Sequence, residues 1–148
     1  MYKIIRREDL NSSVTLFDIE APEIARNCKP GQFVIVRVDE YGERIPLTIA
    51  NYEPDDGTVT IIFQVVGKST RKLNQLHEGD FLQDFVGPLG KPSDLEDLEK
   101  VCVVVGGVGS AIGYPIAKAL NRQGAFVDTI VGFRNKDLII LENEFSGV

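Results

Sequence analysis

Residues 44–49 form an apolar strand pattern that contains one proline and one hydroxyl. Pro46 cannot donate a hydrogen bond to a β-ladder, which restricts it to a sheet edge or a ligand-facing position. Thr48 places a hydroxyl in an apolar setting, where it needs a hydrogen-bond partner. A bound flavin ring is one candidate partner, and the alternative is an edge strand whose threonine is satisfied within the protein.

A second stretch, Gly67-Lys68-Ser69-Thr70, joins a strand pattern to a helix pattern. Such a junction presents free backbone N–H groups and the positive end of a helix dipole, which suits a pyrophosphate. Gly67 lets a ligand approach the backbone closely, and Thr70 offers a hydroxyl. The alternative is an ordinary capped helix over residues 70–76, with Ser69 or Thr70 as its N-cap.

A third stretch, Gly106-Gly107-Val108-Gly109, lies between an apolar strand pattern and a helix pattern, the context of a nucleotide-binding turn. Its spacing departs from G-x-G-x-x-G, because position 112 is Ile and the next glycine is Gly113. The acidic residue that usually contacts a ribose is also missing, since the next strand ends in Gly132-Phe133-Arg134. We predict a nucleotide-binding turn of unusual form, and the alternative is a tight turn without a ligand.

The remaining reactive side chains are few. His77 is the only histidine, and its position beside Glu78 at a helix end indicates a solvated residue rather than an acid–base catalyst. Cys102 lies in an apolar run and is predicted to be a small core residue, whereas Cys28 follows Asn27 in a loop that could be exposed. This inventory is poor for hydrolysis but adequate for electron transfer, in which a cofactor carries the chemistry.

Composition indicates a soluble globular protein of 148 residues, with 43% hydrophobic and 26% charged residues. A net charge of −6 argues against a nucleic-acid partner, which needs clustered Lys and Arg. The longest run without a charge, residues 101–117, is too short and too rich in glycine to span a membrane. The first residues contain no signal-peptide pattern, so a cytoplasmic location without membrane attachment is expected.

The first 97 residues contain short β-patterns separated by glycine and proline, which predict an all-β antiparallel six-stranded barrel. The predicted strands cover residues 2–5, 13–20, 32–38, 45–51, 58–66 and 81–85. An acidic segment, residues 91–100, is a candidate linker to the second region.

Residues 98–148 show a different pattern. Residues 101–105 and 125–132 are continuous apolar runs, as expected for parallel strands buried on both faces, and a helix ends between them at residue 121 or 122. Residues 136–145 are predicted to form another helix. We predict an incomplete α/β Rossmann-like unit, the N-terminal part of an NAD(P)-binding domain that is either truncated or completed by a partner.

These motifs together resemble the ferredoxin–NADP reductase superfamily. Residues 30–34, 43–50, 87–92 and 131–134 are similar to one branch, the small electron-transfer subunits of NADH-dependent reduced ferredoxin:NADP oxidoreductase (also called sulfide dehydrogenase) and of dihydroorotate dehydrogenase. The resemblance covers essentially the whole chain. It implies an FAD-binding barrel followed by a domain for NAD(H) or NADP(H).

The resemblance also implies roles for individual residues. Thr48 would lie near flavin N5 as the catalytic contact, and Gly107 to Gly109 would lie under the nicotinamide nucleotide. The family's flavin strand carries an arginine that aligns with Ile45, so Arg44 comes one position early. The implied cofactor-binding residues are Arg44, Ile45, Pro46, Leu47, Thr48, Ile62, Phe63, Gln64, Gly67, Lys68, Ser69, Thr70, Gly106, Gly107, Val108, Gly109 and Arg134.

The implied function is that of an FAD-dependent NAD(P)H oxidoreductase subunit, which passes electrons to an iron–sulfur centre or a partner. A larger catalytic oxidoreductase subunit and ferredoxin are the implied partners. Family members continue to a cysteine cluster that binds a 2Fe-2S centre, which is expected only in a missing C-terminal part or a partner. The alternatives are a dihydroorotate dehydrogenase subunit and a flavin-binding, partner-docking module without turnover. Arg134 could meet a 2′-phosphate, but the sequence does not separate NAD from NADP.

Overall fold

The computed structural model describes residues 1–148. Its larger part is an antiparallel, barrel-like sheet of seven strands in the order β6-β1-β2-β5-β4-β3-β7. Two short helices accompany this sheet, one after β2 and one after β5. The elements of this part are β1 (Tyr2–Asp9), β2 (Val14–Glu20), α1 (Pro22–Asn27), β3 (Phe33–Arg37), β4 (Ile45–Glu53), β5 (Thr58–Gln64), α2 (Lys68–Asn74), β6 (Phe81–Leu82) and β7 (Asp84–Leu89).

The predicted count of six strands is wrong because residues 81–85 do not form a single strand. Phe81–Leu82 pair with β1, whereas Asp84–Leu89 pair with β3. The chain changes partner at Gln83, so consecutive residues hold the two ends of the sheet beside each other. The sheet is nearly closed in this way. A pattern of apolar residues predicts that a segment is extended but not which strand it pairs with.

Alternate residues of the strands fill the interior of the barrel, as the two-residue period of a strand requires. Phe17 and Phe63 are almost fully buried there, and their rings meet edge to face with 5.1 Å between centroids. Such an aromatic pair contributes about 1 kcal/mol beyond the area that it buries. The barrel therefore has its own apolar core, which is a rigid support for anything bound on its outer surface.

The second part is a β-α-β unit with two parallel strands, β8 (Lys100–Gly106) and β9 (Phe126–Gly132), joined through helix α3 (Ser110–Arg122). Gly113 brings this helix close to β8, since a Cβ at this position would lie 2.4 Å from Cγ1 of Val105. The glycine that falls outside the G-x-G-x-x-G spacing therefore sets the distance between helix and sheet, the role of the third glycine in that motif.

The prediction that both parallel strands are buried on both faces is wrong. Helix α3 covers one face, and on the other face Val104 is 67% exposed and Ile130 is 59% exposed. Cys102 shares this open face and is exposed, which corrects its predicted place in the core. Cys28 is instead buried, because it lies behind α1 against the barrel core. Burial raises the pKa of the Cys28 thiol to about 11.

The predicted helix over residues 136–145 is wrong. A single turn of 3-10 helix spans Lys136–Leu138, and only the five residues of α4 (Glu142–Ser146) form an α-helix. Leu141 separates the two with a left-handed backbone, at φ 58°. Leu141 and Phe145 are both buried. The apolar period of this segment therefore reflects burial against the barrel side rather than a continuous helix.

A second apolar cluster joins the two parts of the molecule. Strands β2, β4 and β5 contribute Val14, Leu16, Ala50 and Ile62, and α3 and α4 contribute Ala111, Ala117 and Phe145. Helix α3 is the element that packs both on β4 and on the parallel strands. None of the helices is both long enough and apolar enough to cross a membrane.

Candidate functional site

The outer faces of β4 and β5 point towards the β-α-β unit. On β5, Ile61 and Phe63 lie in the barrel core, whereas Ile62 lies in the cluster that joins the two parts. On β4, Ile49 faces the core and Ala50 faces that joining cluster. Since side chains alternate along a strand, Thr48 and Gln64 belong to the outer face.

The first half of β4 is open along one edge. Residues Ile45 to Thr48 pair only with β3, and pairing with β5 begins at Ile49. Pro46 lies in this half and is exposed. A proline disrupts the ladder least where the strand has a neighbour on one side only. The half of β4 from Ile45 to Thr48 therefore has one unpaired edge, on the side where β5 pairs with the second half.

Two polar side chains on this outer face have no hydrogen-bond partner in the protein. They are the hydroxyl of Thr48, which is half-buried, and the amide of Gln64, which is exposed. Both offer a donor and an acceptor to a ligand. The predicted need of Thr48 for a partner is therefore not met within the chain.

Three predicted site residues direct their side chains into the barrel instead. Ile45 and Leu47 pack against the barrel core, and Phe63 is part of it, 2% exposed. Their side chains cannot lie on a ring bound to the outer face. Any contact from these positions comes from the backbone.

A cavity of about 660 Å³ lies between the barrel and the β-α-β unit, at the carboxyl ends of β8 and β9. In an open parallel sheet this edge is where ligands bind. The barrel supplies Gln64 and the turn between β1 and β2, and the other part supplies the glycine turn and the segment after β9. The lining residues are Asn11, Ser13, Val14, Gln64, Gly106, Gly107, Val108, Gly132, Phe133, Arg134, Leu138 and Ile140.

The structure thus brings Gln64, residues 106–108 and Arg134 to one cavity, although they lie far apart in sequence. Gly107 has φ 56°, a left-handed backbone that favours glycine, and a Cβ there would meet nothing within 4 Å. Gly109 does not line the cavity and is the N-cap of α3. Arg134 is exposed at the rim.

Sequence reasoning missed the contribution of the β1–β2 turn. Asn11 lines the cavity, and its Oδ1 accepts hydrogen bonds from the N–H groups of Ser13 and Val14, both at 2.9 Å. Its Nδ2 donates to the carbonyl of Leu138 at 3.3 Å, which ties the barrel to the segment after β9. The pattern Asn11-Ser12-Ser13 signals a turn, but only the topology shows that this turn faces the nucleotide unit.

Ser110 was also missed. It is the first residue of α3, it is fully buried, and its hydroxyl has no hydrogen-bond partner. Buried hydroxyls are rarely left unpaired, since the lost hydrogen bond with water costs about 1–3 kcal/mol. The sequence shows a serine after the glycine turn but does not show that this serine is buried.

A smaller cavity of about 220 Å³ lies between the β3–β4 turn and α2. Its walls include three predicted residues, Ile45, Lys68 and Ser69. Ser69 Oγ donates to Glu43 Oε2 at 2.9 Å. Lys72 lines the same cavity and forms an ion pair with Asp39 at 2.7 Å, and its hydrogen bond lowers the pKa of the Asp39 carboxyl.

Helix α2 begins differently from the prediction. Gly67 is its N-cap and Lys68 its first residue, so neither Ser69 nor Thr70 is the cap. Thr70 lies in the first turn, where its Oγ1 accepts hydrogen bonds from the N–H groups of Val66 and Gly67, both at 3.0 Å. This hydroxyl stabilises the turn itself, as in a capping box. A Cβ at Gly67 would meet nothing within 4 Å.

Arg44 lines neither cavity. Its side chain is 59% exposed and reaches Asp84 of β7 at 3.4 Å, near the ion pair of Arg37 with the same carboxylate. The one-residue offset from the family's arginine therefore directs Arg44 to a neighbouring strand.

No protein-family model matches the chain. Among curated proteins, it is 51% identical over 153 residues to an uncharacterised protein in the adh 3′ region of Clostridium beijerinckii, and the match covers 99% of this chain and 52% of that protein. It is 43% identical over 146 residues to a dihydroorotate dehydrogenase B (NAD(+)) electron transfer subunit homolog of Thermotoga maritima, covering 99% and 52%. It is 34% identical over 127 residues to the corresponding electron transfer subunit of Fusobacterium nucleatum, covering 81% and 49%.

The chain is homologous to dihydroorotate dehydrogenase B electron-transfer subunits. It spans about half the length of the curated relatives that it matches. This homology confirms the resemblance derived from the motifs. By their names, several of these relatives are electron-transfer subunits of larger enzymes.

Solved structures of reductases superpose on the chain. The chain superposes on the NADH-dependent reduced ferredoxin–NADP oxidoreductase with a TM-score of 0.92 and 43% identity, over 97% of this chain and 52% of that one. The phthalate dioxygenase reductase superposes with a TM-score of 0.81 at 19% identity, over 98% and 47%, and shares the fold.

Proposed function

We propose that this chain binds FAD across the outer face of β4 and β5 and binds NADH or NADPH in the cavity beside it. Electrons would pass from the nicotinamide nucleotide to the flavin and then to a partner. The observation that carries the proposal is the shared cavity, in which Gln64 of the barrel meets the glycine turn of residues 106–108. A nucleotide bound there is adjacent to the surface proposed for the flavin.

The residues present fit a flavin ring. Thr48 and Gln64 hold polar groups that no protein atom satisfies, on the face of the barrel that points to the β-α-β unit. Gly67 and Gly107 leave open space where another residue would place a Cβ. These two glycines therefore allow close approach of a ligand to the backbone.

When bound, the flavin would accept a hydride and release electrons one at a time. The protein would hold and orient the two ligands. Thr48 would hydrogen-bond the ring near N5, and Gln64 would contact the ring edge that faces the cavity. The backbone of Gly107 and Val108 would support the nicotinamide nucleotide, with the N-terminus of the thirteen-residue helix α3 behind it.

The phosphate end of FAD is proposed to lie at the smaller cavity. Its walls combine the exposed side chain of Lys68 with Ser69 and Lys72. The cation of Lys68 makes no ion pair within the protein, so it is available to a phosphate. Thr70 would support this turn rather than touch the ligand, and Arg44 would take no part.

The homologues named as dihydroorotate dehydrogenase subunits and the similar ferredoxin–NADP oxidoreductase support flavin-linked electron transfer as the function. They also support a larger catalytic subunit as the partner, with ferredoxin as an alternative acceptor. A 2Fe-2S centre is proposed only for a partner or for further polypeptide. Arg134, at the rim of the cavity, would contact the 2′-phosphate of NADPH if that nucleotide binds.

The test is a titration of the purified protein with FAD, followed by anaerobic addition of NADH or NADPH. Quenching of the flavin fluorescence at stoichiometric FAD, and bleaching of its visible absorption by one of the nucleotides, would support the proposal. No binding of FAD at micromolar concentrations would refute it.

A second candidate is a flavin-binding module that docks a partner and has no turnover of its own. The open face of the parallel strands favours it, because Val104, Phe126 and Ile130 are each more than half exposed. Exposed apolar surface of this kind marks interaction sites. This candidate predicts FAD binding without bleaching by either nucleotide.

A further inference from the structure

Lys118, near the C-terminal end of α3, makes the polar contact between the helix and the barrel. Its Nζ donates to Asn51 Oδ1 and to Glu53 Oε1, each at 2.7 Å. Both acceptors lie on β4, the strand that also carries Thr48. The Lys118 side chain is only 16% exposed, and its ammonium lies 6.0 Å from the ring centre of Tyr114. The charge is thus held in one place by two oxygens and one aromatic face.

We infer that Lys118 is a positioning residue that fixes the orientation of the β-α-β unit on the barrel, and with it the contact between nicotinamide and flavin. The effect on the contact between nicotinamide and flavin rests on the proposed function, whereas the orientation of the β-α-β unit on the barrel does not. Lys118 lines neither of the two proposed cavities and acts through α3.

The apolar contact between α3 and β4 does not by itself fix that orientation. The fully buried residues that these two elements contribute to the joining cluster are small, Ala50 on the strand and Ala111 and Ala117 on the helix. Alanines let the backbones approach closely but interlock little, so the two surfaces can slide with small loss of contact. A bidentate contact of a charged group has a steep dependence on distance and angle, so it defines one position.

Lys118 holds the end of α3 that is remote from the glycine turn. Lys118 comes eight positions after Ser110, which corresponds to ~12 Å along a helix. A rotation of α3 about its alanine contacts would therefore move Gly107 and Val108 across the face of the flavin. A reaction between two bound groups tolerates little displacement of one group relative to the other, since misplacement by about 1 Å can cost about a hundredfold in rate.

A second polar bridge between the barrel and the other part, at the nucleotide cavity, is weaker than the Lys118 contact. Asn11 donates to the carbonyl of Leu138 at 3.3 Å, a neutral and longer hydrogen bond. The loss of Lys118 leaves the joining apolar cluster and the Asn11 bridge in place, so the β-α-β unit stays attached to the barrel but loses the charged contact that fixes its tilt. The effect predicted for Lys118 is therefore a change in orientation rather than dissociation.

The direct test measures amide residual dipolar couplings of the 148-residue chain without any ligand. In the wild type, couplings from the barrel and from β8, α3 and β9 should fit one alignment tensor. Lys118→Met keeps most of the side chain's length and apolar packing but removes the ammonium, and the two sets should then lose their common tensor. A single, unchanged tensor in this variant would overturn the inference.

The second readout uses the flavin. In Lys118→Met the affinity for FAD should stay within twofold of wild type, whereas the rate of flavin reduction by saturating nucleotide should fall about tenfold, which lies within the cost of a misplacement below 1 Å. An unchanged rate would count against Lys118 as a positioning residue. If the wild type binds no flavin, the proposed function fails, and the dipolar couplings still decide the orientation.

Two further variants complete the test. The double variant Asn51→Ala with Glu53→Ala removes both acceptors from β4 and should reproduce the loss of the common tensor, even if Lys118→Met does not fold. Arg26→Met is the control, because it removes the exposed ion pair between Arg26 and Glu23 at 2.9 Å within α1. Its tensor and its reduction rate should equal those of the wild type, and a matching loss in the control would overturn the inference.

Discussion

Replacement of Gly113 by alanine tests the contact between α3 and β8. The new Cβ would lie 2.4 Å from Cγ1 of Val105 and 3.3 Å from Cγ1 of Val103, well inside van der Waals contact. Overpacking of this kind costs about 1–3 kcal/mol. Alanine gains about 1 kcal/mol over glycine as a helix former. We therefore expect Gly113→Ala to lower the free energy of unfolding by about 1 kcal/mol, the difference between the central overpacking cost and the helix gain.

The assay is chemical denaturation followed by far-ultraviolet circular dichroism. Gly147→Ala is the matched control, since its Cβ would meet its nearest atom at 3.6 Å, an ordinary contact. The double variant Gly113→Ala with Val105→Ala should lose less free energy of unfolding than the two single variants lose together, because the second change removes the methyl group that clashes. A Gly113→Ala protein more stable than wild type would refute the close contact between α3 and β8.

Three other predictions concern single side chains. Thr48→Ala should weaken FAD binding about threefold to tenfold, the value of one hydrogen bond, without changing stability, and a fluorescence titration measures it; an unchanged affinity would remove Thr48 from the site. The hydrogen bond from Lys118 lowers the pKa of Glu53 below its usual 4.5, so this pair stabilises the fold above that pH and loses its effect as the pH falls through the lowered pKa. Denaturation between pH 6 and pH 3, a range of about three units around the usual carboxylate pKa, should show this loss in wild type and a shallower dependence in Lys118→Met. Cys102, which is exposed, should be alkylated by iodoacetamide at neutral pH while Cys28, buried and with a pKa of about 11, stays unmodified in mass spectra; equal labelling would contradict the burial of Cys28.

Local patterns were sufficient to predict most of the elements. Two-residue alternation predicts the barrel strands, because one face of each strand is buried in the core. The apolar run before Gly106 and the glycine turn after it predict the parallel strand and the start of α3. These features depend on neighbours in sequence, and the structure confirms them.

Apart from the N-cap of α2, the failures depend on tertiary placement. The change of pairing at Gln83 and the left-handed backbone at Leu141 leave no local signal. Burial was assigned wrongly to Cys102, because an apolar run does not show which face of a strand another element covers. The burial of Cys28 against the barrel core also leaves no signal in the sequence around it. An apolar period therefore predicts the element type better than it predicts the surroundings.

The candidate site also combines residues that local sequence points to with residues that only the tertiary structure brings in. The sequence singled out the glycine turns and Thr48 as candidates, and the structure brings Gly107 to the cavity and Thr48 to the outer face of β4. It missed Asn11 and Ser110, since their roles follow from a turn and a helix meeting across the two parts of the molecule. It also named Phe63, whose side chain points into the barrel because of the alternation along β5.

The most direct test of the central claim is to map amide chemical-shift changes on the wild-type chain during titration with FAD. The proposed site predicts that the largest changes fall on the outer faces of β4 and β5, at Thr48 and Gln64, and on the turns at Gly67 and Gly107. Subsequent addition of NADH should extend the changes to Arg134 and the β1–β2 turn. Changes confined to other surfaces, such as the open face with Val104 and Ile130, would contradict the account.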